Sequence, residues 1–241
     1  MAVLTETHIP TTDGKLHGIL AVPDGAGPWP AVVMVHEVFG IDDNMRAHAA
    51  RLANLGYLAI MPDLFSRGGA RKCLTATFKA LQAGRGQAFE DVEAAKAVVT
   101  ARADCTGKVG VIGFCMGGAF ALQLAPRGYD ASAVNYGRLP DDLDSVLVGA
   151  CPIVGSYGKD DASLKGAASK LENALTTHGI PHDVKEYPGA SHAFLNTGPA
   201  GPRAFSFIAK HVGGFGPRPE QAEDAWRRID EFFTEHLRTN K

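Results

Sequence analysis

The chain has 241 residues, 45% of them hydrophobic and 21% charged, enough apolar material for the core of one α/β domain spanning residues 1–241. Its formal net charge is −2 at pH 7, which provides neither a basic footprint for nucleic acid nor a polybasic patch for membranes. The opening "MAVLTETHIPTTDG" has no basic region followed by an apolar one, and no run of about 18 apolar residues occurs, so a chain without a signal peptide or membrane span, residing in the cytoplasm, is expected.

In chain order, "TETHIP", the turn signal "TTDG" and "KLHGILAVP" predict an antiparallel β-hairpin. "AVVMV" is apolar without alternation, as a strand covered on both faces should be. "DNMRAHAARLANLG" carries Met45, Ala49, Leu52 and Leu55 at helical spacing and stops at Gly56. "YLAIMPDLF" is the next buried strand. Residues 66–86, rich in Gly, Arg and Lys, are expected to form a loop with a short helix. "AFEDVEAAKAVVTARA" predicts an amphipathic helix, "KVGVIGF" a strand and "MGGAFALQLAPRG" a helix stopped by its Pro-Arg-Gly end. Then follow short strands in "ASAVNYG" and "ACPIVGSYG", a helix in "SLKGAASKLENALTTHG" and a strand in "HDVKEYPGA". The last helix, "PEQAEDAWRRIDEFFTEHL", carries one apolar stripe: Ala222, Ala225, Trp226, Ile229, Phe232, Phe233 and Leu237. This alternation predicts a mainly parallel sheet with helices on both faces and the N-terminal hairpin as an antiparallel edge.

Of the four cysteines, Cys73, Cys105, Cys115 and Cys151, none forms a C-x-x-C pair, and no His stands at zinc-finger spacing. No structural metal and no disulfide framework are expected, which leaves each thiol free.

In parallel sheets of this kind, sites collect at the carboxyl ends of the strands. The polar residues that fall there are His36 and Glu37, Cys115, Asp160 and Asp161, and His192. Cys115 lies in "GFCMGG", between a predicted strand and a predicted helix. G-x-C-x-G-G has the form of a nucleophile elbow, in which Gly113 and Gly117 leave room for a strained turn. The chain order Cys115, Asp161, His192 is the nucleophile–acid–base order of α/β-hydrolases. His192 takes or shares the thiol proton, and Asp161, three residues after Gly158, orients the imidazole. The backbone N–H groups of Met116 and Val38 are the expected oxyanion donors. A helix N-terminus and a His⁺ favour the thiolate, whereas the Glu37 carboxylate opposes it. His36 is expected to hold the loop after its strand. "CTGKVG" lacks the Ser or Thr of a P-loop, and "GVIGFCMGG" lacks the G-x-G of a dinucleotide fingerprint.

The segments "HEVFG" (36–40), "GYLAIMPDLF" (56–65), "GKVGVIGFCMGG" (107–118), "GKDD" (158–161) and "GASHAF" (189–194) resemble the dienelactone hydrolase family of α/β-hydrolases over nearly the whole chain. The resemblance implies an α/β-hydrolase fold of about seven to eight strands. It implies Cys115, Asp161 and His192 as a catalytic triad, Glu37 as the carboxylate that controls the thiol, and the Val38 and Met116 amides as the oxyanion hole. It also implies hydrolysis of a dienelactone-type enol-lactone to a maleylacetate-type acid, as in degradation of halogenated aromatics, with no metal or organic cofactor. Members similar to this chain carry Arg four residues after the catalytic His. Here that position is Asn196, which can hydrogen-bond a carboxylate but brings no charge. Arg67, Arg71, Lys72 and Arg203 are candidates to supply the charge. Asn196, Arg67, Arg71 and Phe39 are the expected substrate contacts. The partner is a small lactone or ester, and the chain is expected to act as a monomer or homodimer. A broader carboxylesterase or thioesterase is the alternative. A redox-sensing or non-catalytic binder would not need the intact Asp161 and His192.

Overall fold

Apolar runs become strands and periodic segments become helices in the computed structural model, which describes residues 2–199 and 216–238, with the side chains of residues 70 and 71 left aside. The first half contains β1 (Val3–Thr11), β2 (Gly14–Val22), β3 (Trp29–Val35), α1 (Asp43–Asn54), β4 (Leu58–Pro62), α2 (Ala70–Ala83) and α3 (Gln87–Thr100). The second contains β5 (Cys105–Phe114), α4 (Met116–Leu124), β6 (Ala131–Asn135), α5 (Leu143–Leu147), β7 (Ile153–Gly158), α6 (Ala167–Thr177), β8 (His182–Tyr187) and α7 (Pro219–Phe233). The eight strands form one sheet in the order β1-β2-β4-β3-β5-β6-β7-β8. The β1–β2 and β2–β4 pairs are antiparallel, and every other pair is parallel. No helix among the described residues is long and apolar enough to cross a membrane.

Because side chains alternate along a strand, each central strand feeds two cores. Ala31, Val33 and Val35 of β3 face the layer built by α2 to α6, while Val32 and Met34 face the layer built by α1 and α7. Val111 of β5 joins the first core, and Ile112 and Phe114 join the second. The strands are apolar on both faces because helices cover both.

Two local expectations change. Residues 70–83 form a full 14-residue helix rather than a short one. Cys73, Leu74, Thr77, Ala80 and Leu81 lie at i, i+1, i+4, i+7 and i+8 and make its inner face, which the surrounding Gly and Lys residues hid. Gly84, left-handed at φ 63°, ends it. Conversely, "SLKG" does not belong to α6. Ala162–Leu164 is a single tight turn, and Gly166 at φ 75° breaks the chain before the helix starts. The stripe of α7 is buried as its spacing demands except for Ala222, which is half-buried, and a wider π-type turn over Thr234–Arg238 carries Leu237 into the core.

Phe233 is fully buried and meets the Tyr57 ring edge-on at 5.8 Å. Phe233→Ala is expected to cost about 3–5 kcal/mol. A denaturant midpoint that falls at unchanged slope would bear this out; an unmoved midpoint would not.

Candidate active site

β5 ends at Phe114, and the chain turns on Cys115 at φ 56°, ψ −115° into α4. The turn is possible because both flanking positions lack a side chain. A Cβ on Gly113 would lie 1.8 Å from the Gly117 carbonyl oxygen, and one on Gly117 would lie 2.0 Å from that of Val35. The first turn of α4 is thereby pressed onto the end of β3. Among the described residues, only Cys115, Tyr136 (φ 40°) and Ala193 (φ 59°) are non-glycine residues at positive φ. All three lie at the carboxyl edge of the sheet, each at a cost of about 1–3 kcal/mol. Strain stored at one edge marks that edge as the place where geometry is held for chemistry.

His192 sits in the turn after β8, and its Nδ1 lies 2.6 Å from Asp161 Oδ2. The other Asp161 oxygen accepts from the backbone N–H of Ser163 at 3.0 Å and from its hydroxyl at 2.6 Å. Asp161 is buried, whereas Asp160 is exposed, so burial and bonding both single out Asp161. His192 also interacts with the partly exposed Cys115. Burial alone pushes its imidazole down; the Asp161 bond and the contact with Cys115 outweigh this and hold it up to about 10. Burial likewise opposes ionisation of Asp161, but the bonds from His192 and Ser163 keep its carboxyl below the ordinary value. The structure therefore brings Cys115, His192 and Asp161 together, with Asp161 bonded to the imidazole and Cys115 acting on it.

Glu37 is buried on the loop after β3. The Tyr136 hydroxyl donates to its Oε1 at 3.3 Å, and the Asn196 amide donates to its Oε2 at 3.2 Å. Burial raises its carboxyl to about 7 against those two bonds and the attraction of His192. The Tyr136 ring packs on His192 at 5.2 Å, which links the carboxylate to the imidazole. Val38 and Phe39 follow Glu37, both half-buried. Among the described residues, no backbone carbonyl occupies the N–H of Val38 or of Met116, the first residue of α4. His36 is turned away from this edge. Its Nδ1 donates to the Glu37 carbonyl at 2.7 Å and its Nε2 accepts from Leu64 N–H at 3.1 Å, so it braces two loops as a neutral ring.

Two expected substrate contacts change. The Arg67 guanidinium is bonded to Asp91, to Asp13 at 2.8 Å and to Thr11 at 2.9 Å, so its charge is already matched by carboxylates. Asn196 is 2% exposed and faces Glu37 rather than an open cleft. Arg203 and the Arg71 side chain lie outside what the structure describes, and Lys72 is exposed on α2. Tyr136, His48 and Ser163 were missed. Tyr136 had one signal, its place at the carboxyl end of the predicted strand "ASAVNYG". Among the described residues no group of three or more His, Cys, Asp or Glu is arranged to hold a metal ion. A separate cleft of about 740 Å³, lined by Trp29, Leu55, Lys108 and Arg238, opens at the amino ends of β3 and β5, away from Cys115.

Residues 16–237 match the model of the dienelactone hydrolase family. The carboxymethylenebutenolidase of Pseudomonas putida is 30% identical over 83% of this chain and 89% of its own length. A provisionally named carboxymethylenebutenolidase of Methylorubrum extorquens is 30% identical over 96% of this chain and 80% of its own. A crystal structure from Klebsiella pneumoniae, provisionally named a dienelactone hydrolase, superposes with a TM-score of 0.78 at 26% identity, covering 98% of this chain and 99% of that one.

The Asp161–His192 contact sets a pH dependence. The imidazole's folded value lies above its ordinary 6.5, so the stability it contributes is full below about pH 6.5 and is lost as pH rises through about 10. Nitrogen NMR of wild type at pH 8 is expected to find His192 doubly protonated. Asp161→Asn is expected to lower its midpoint by about 2 units; a neutral wild-type imidazole at pH 8 would contradict this.

Proposed function

The chain belongs to the dienelactone hydrolase family and is a hydrolase of ester or lactone bonds, and from that premise we propose that it opens small lactones through a Cys115 acyl-enzyme. The observation that carries the reading is the Asp161–His192 hydrogen bond beside Cys115, which itself sits on a strained strand-to-helix turn. With the thiol proton transferred to His192, the Cys115 sulfur attacks the carbonyl carbon, forming a C–S bond while the carbonyl π pair moves to oxygen. The Val38 and Met116 N–H groups receive that oxyanion; their lack of backbone partners supports the role. As the intermediate collapses, the ring C–O bond breaks and the departing oxygen takes a proton from His192. The neutral imidazole then removes a proton from water, the hydroxide attacks the thioester, and the acid leaves as the C–S bond breaks. Asp161 keeps the imidazole aimed and stabilises its charged form. No metal or organic cofactor enters these steps.

For the substrate, we propose an enol-lactone of the dienelactone type, opened to a maleylacetate-type acid, in the cytoplasm. A second reading, a broader carboxylesterase or thioesterase acting on uncharged acyl groups, is favoured by one observation. Neither Asn196 nor the carboxylate-bound Arg67 offers a free positive charge to an anionic substrate.

Cys115→Ala is expected to fold normally and lose at least about a thousandfold in kcat, and Cys115→Ser to lose most activity. A brief mix of wild type with an aryl ester should add one acyl mass to Cys115. Turnover by Cys115→Ala at the wild-type rate would sink the mechanism. A higher kcat/KM for an anionic dienelactone than for a neutral ester would select the first substrate class, and the reverse the second.

A further inference from the structure

Behind Glu37 lies a run of buried polar groups that the reaction as described does not use. Asn196 is bonded at both ends: its Nδ2 donates to Glu37 Oε2 at 3.2 Å, and its Oδ1 lies 3.1 Å from His48 Nε2. His48 is 1% exposed, stacked on Phe114 at 4.5 Å and packed by Trp226 at 5.3 Å. Four residues earlier on the same face of α1, Asn44 holds the loop that carries Asn196. Its Oδ1 accepts from Gly198 N–H at 2.9 Å, and its Nδ2 donates to the Pro199 carbonyl at 3.2 Å. α1 therefore grips this loop at two points, one fixing its backbone and one meeting its amide.

A primary amide presents an acceptor at one end and donors at the other, and its orientation is set by what its neighbours need. An ionised carboxylate only accepts, so the Asn196 NH2 must face Glu37. The oxygen then faces His48, and the contact is a hydrogen bond only if Nε2 carries the proton. The geometry points to His48 as a positioning residue: its Nε2–H fixes the Asn196 amide so that the amide's donors face Glu37. Among the described residues, the carboxylate is then held by two neutral donors, Asn196 and Tyr136.

The ring environment suits this part. Burial drives the His48 imidazole down to about 4, so at neutral pH it carries one ring proton, and Nε2 is where a partner awaits it. Among the described residues, the groups that act on Glu37 are His192 after β8, Asp42 before α1, Tyr136 after β6 and Asn196; Cys115 at the elbow acts on Tyr136. The His36 ring is bonded elsewhere. A donor removed from Glu37 leaves burial less opposed, so its carboxyl titrates higher and less of it is ionised at neutral pH. The consequence for turnover rests on the Cys115 reading above; the assignment of His48 does not.

Carbon NMR of glutamate-labelled protein, with Glu37→Gln identifying the resonance, reads the carboxyl directly. Wild type is expected to titrate near 7. His48→Phe keeps the ring stacking, removes the donor and is expected to raise the midpoint by about one unit. His48→Gln, with an amide donor, is expected to return it toward wild type. Asn196→Leu should raise it at least as far, and His48→Phe added to Asn196→Leu should shift it no further. In wild type, nitrogen NMR at pH 7 should find the proton of His48 on Nε2, which tests the assignment even where a variant fails to fold. A proton on Nδ1, an unmoved midpoint in a folded His48→Phe, or additive shifts in the double variant would overturn it. Loss of hydrolysis by wild type with these NMR results intact would fault the catalytic reading alone.

Discussion

The site depends on the approach of two backbones. With no side chain at 113 or 117, α4 sits against the ends of β3 and β5, and the carbonyl of Val35 lies where a Cβ of residue 117 would be. That contact forces the turn at Cys115 into a conformation that a non-glycine residue adopts only under constraint. It also puts Met116 at the start of a helix, next to the thiol at the carboxyl edge of the sheet. The packed core holds the strain. β3, β5 and β6 are apolar on both faces, so none of them can yield to relieve it.

Electrostatics at the edge form two linked systems with opposite tendencies. Asp161 and His192 stabilise each other as charges, since the two are bonded at 2.6 Å and Ser163 saturates the far carboxylate oxygen. Among the described residues, Glu37 is bonded by the neutral donors Tyr136 and Asn196, and burial keeps its carboxyl near 7, poised at neutral pH. Tyr136 touches both systems, with its ring on His192 and its hydroxyl on Glu37. A protonation change at Glu37 is therefore felt at the imidazole through a group that does not itself titrate in this range.

Much of this was legible residue by residue. Periodicity and buried apolar runs predicted the strands and most helices, because burial on two faces leaves a direct mark on composition. The order Cys115, Asp161, His192 and the glycines around the thiol marked the elbow. The length of α2 was hidden because its inner face uses Cys73, Thr77 and Ala80 beside two leucines, a weak apolar signal among basic residues. Arg67 looked like a substrate ligand because its carboxylate partners, Asp13 and Asp91, are 54 and 24 residues away in the chain. Asn196 was expected to face substrate because it stands where the resembled family carries Arg; its partners Glu37 and His48, distant in the chain, are visible only in the fold.

The sequence by itself determined the alternation of elements, the two-sided core and some of the residues that gather at the carboxyl edge, Glu37, Cys115, Asp161 and His192 among them. Local steric rules and the pairing of strands and helices are encoded over short windows, so they can be read there. Only the tertiary structure decided which polar groups bond one another. It bonded Asp161 to His192 and Ser163, tied Arg67 to structural carboxylates, and set Asn196 between Glu37 and His48. Such choices depend on distances across the fold, and a buried polar group must find a partner wherever the fold has brought one.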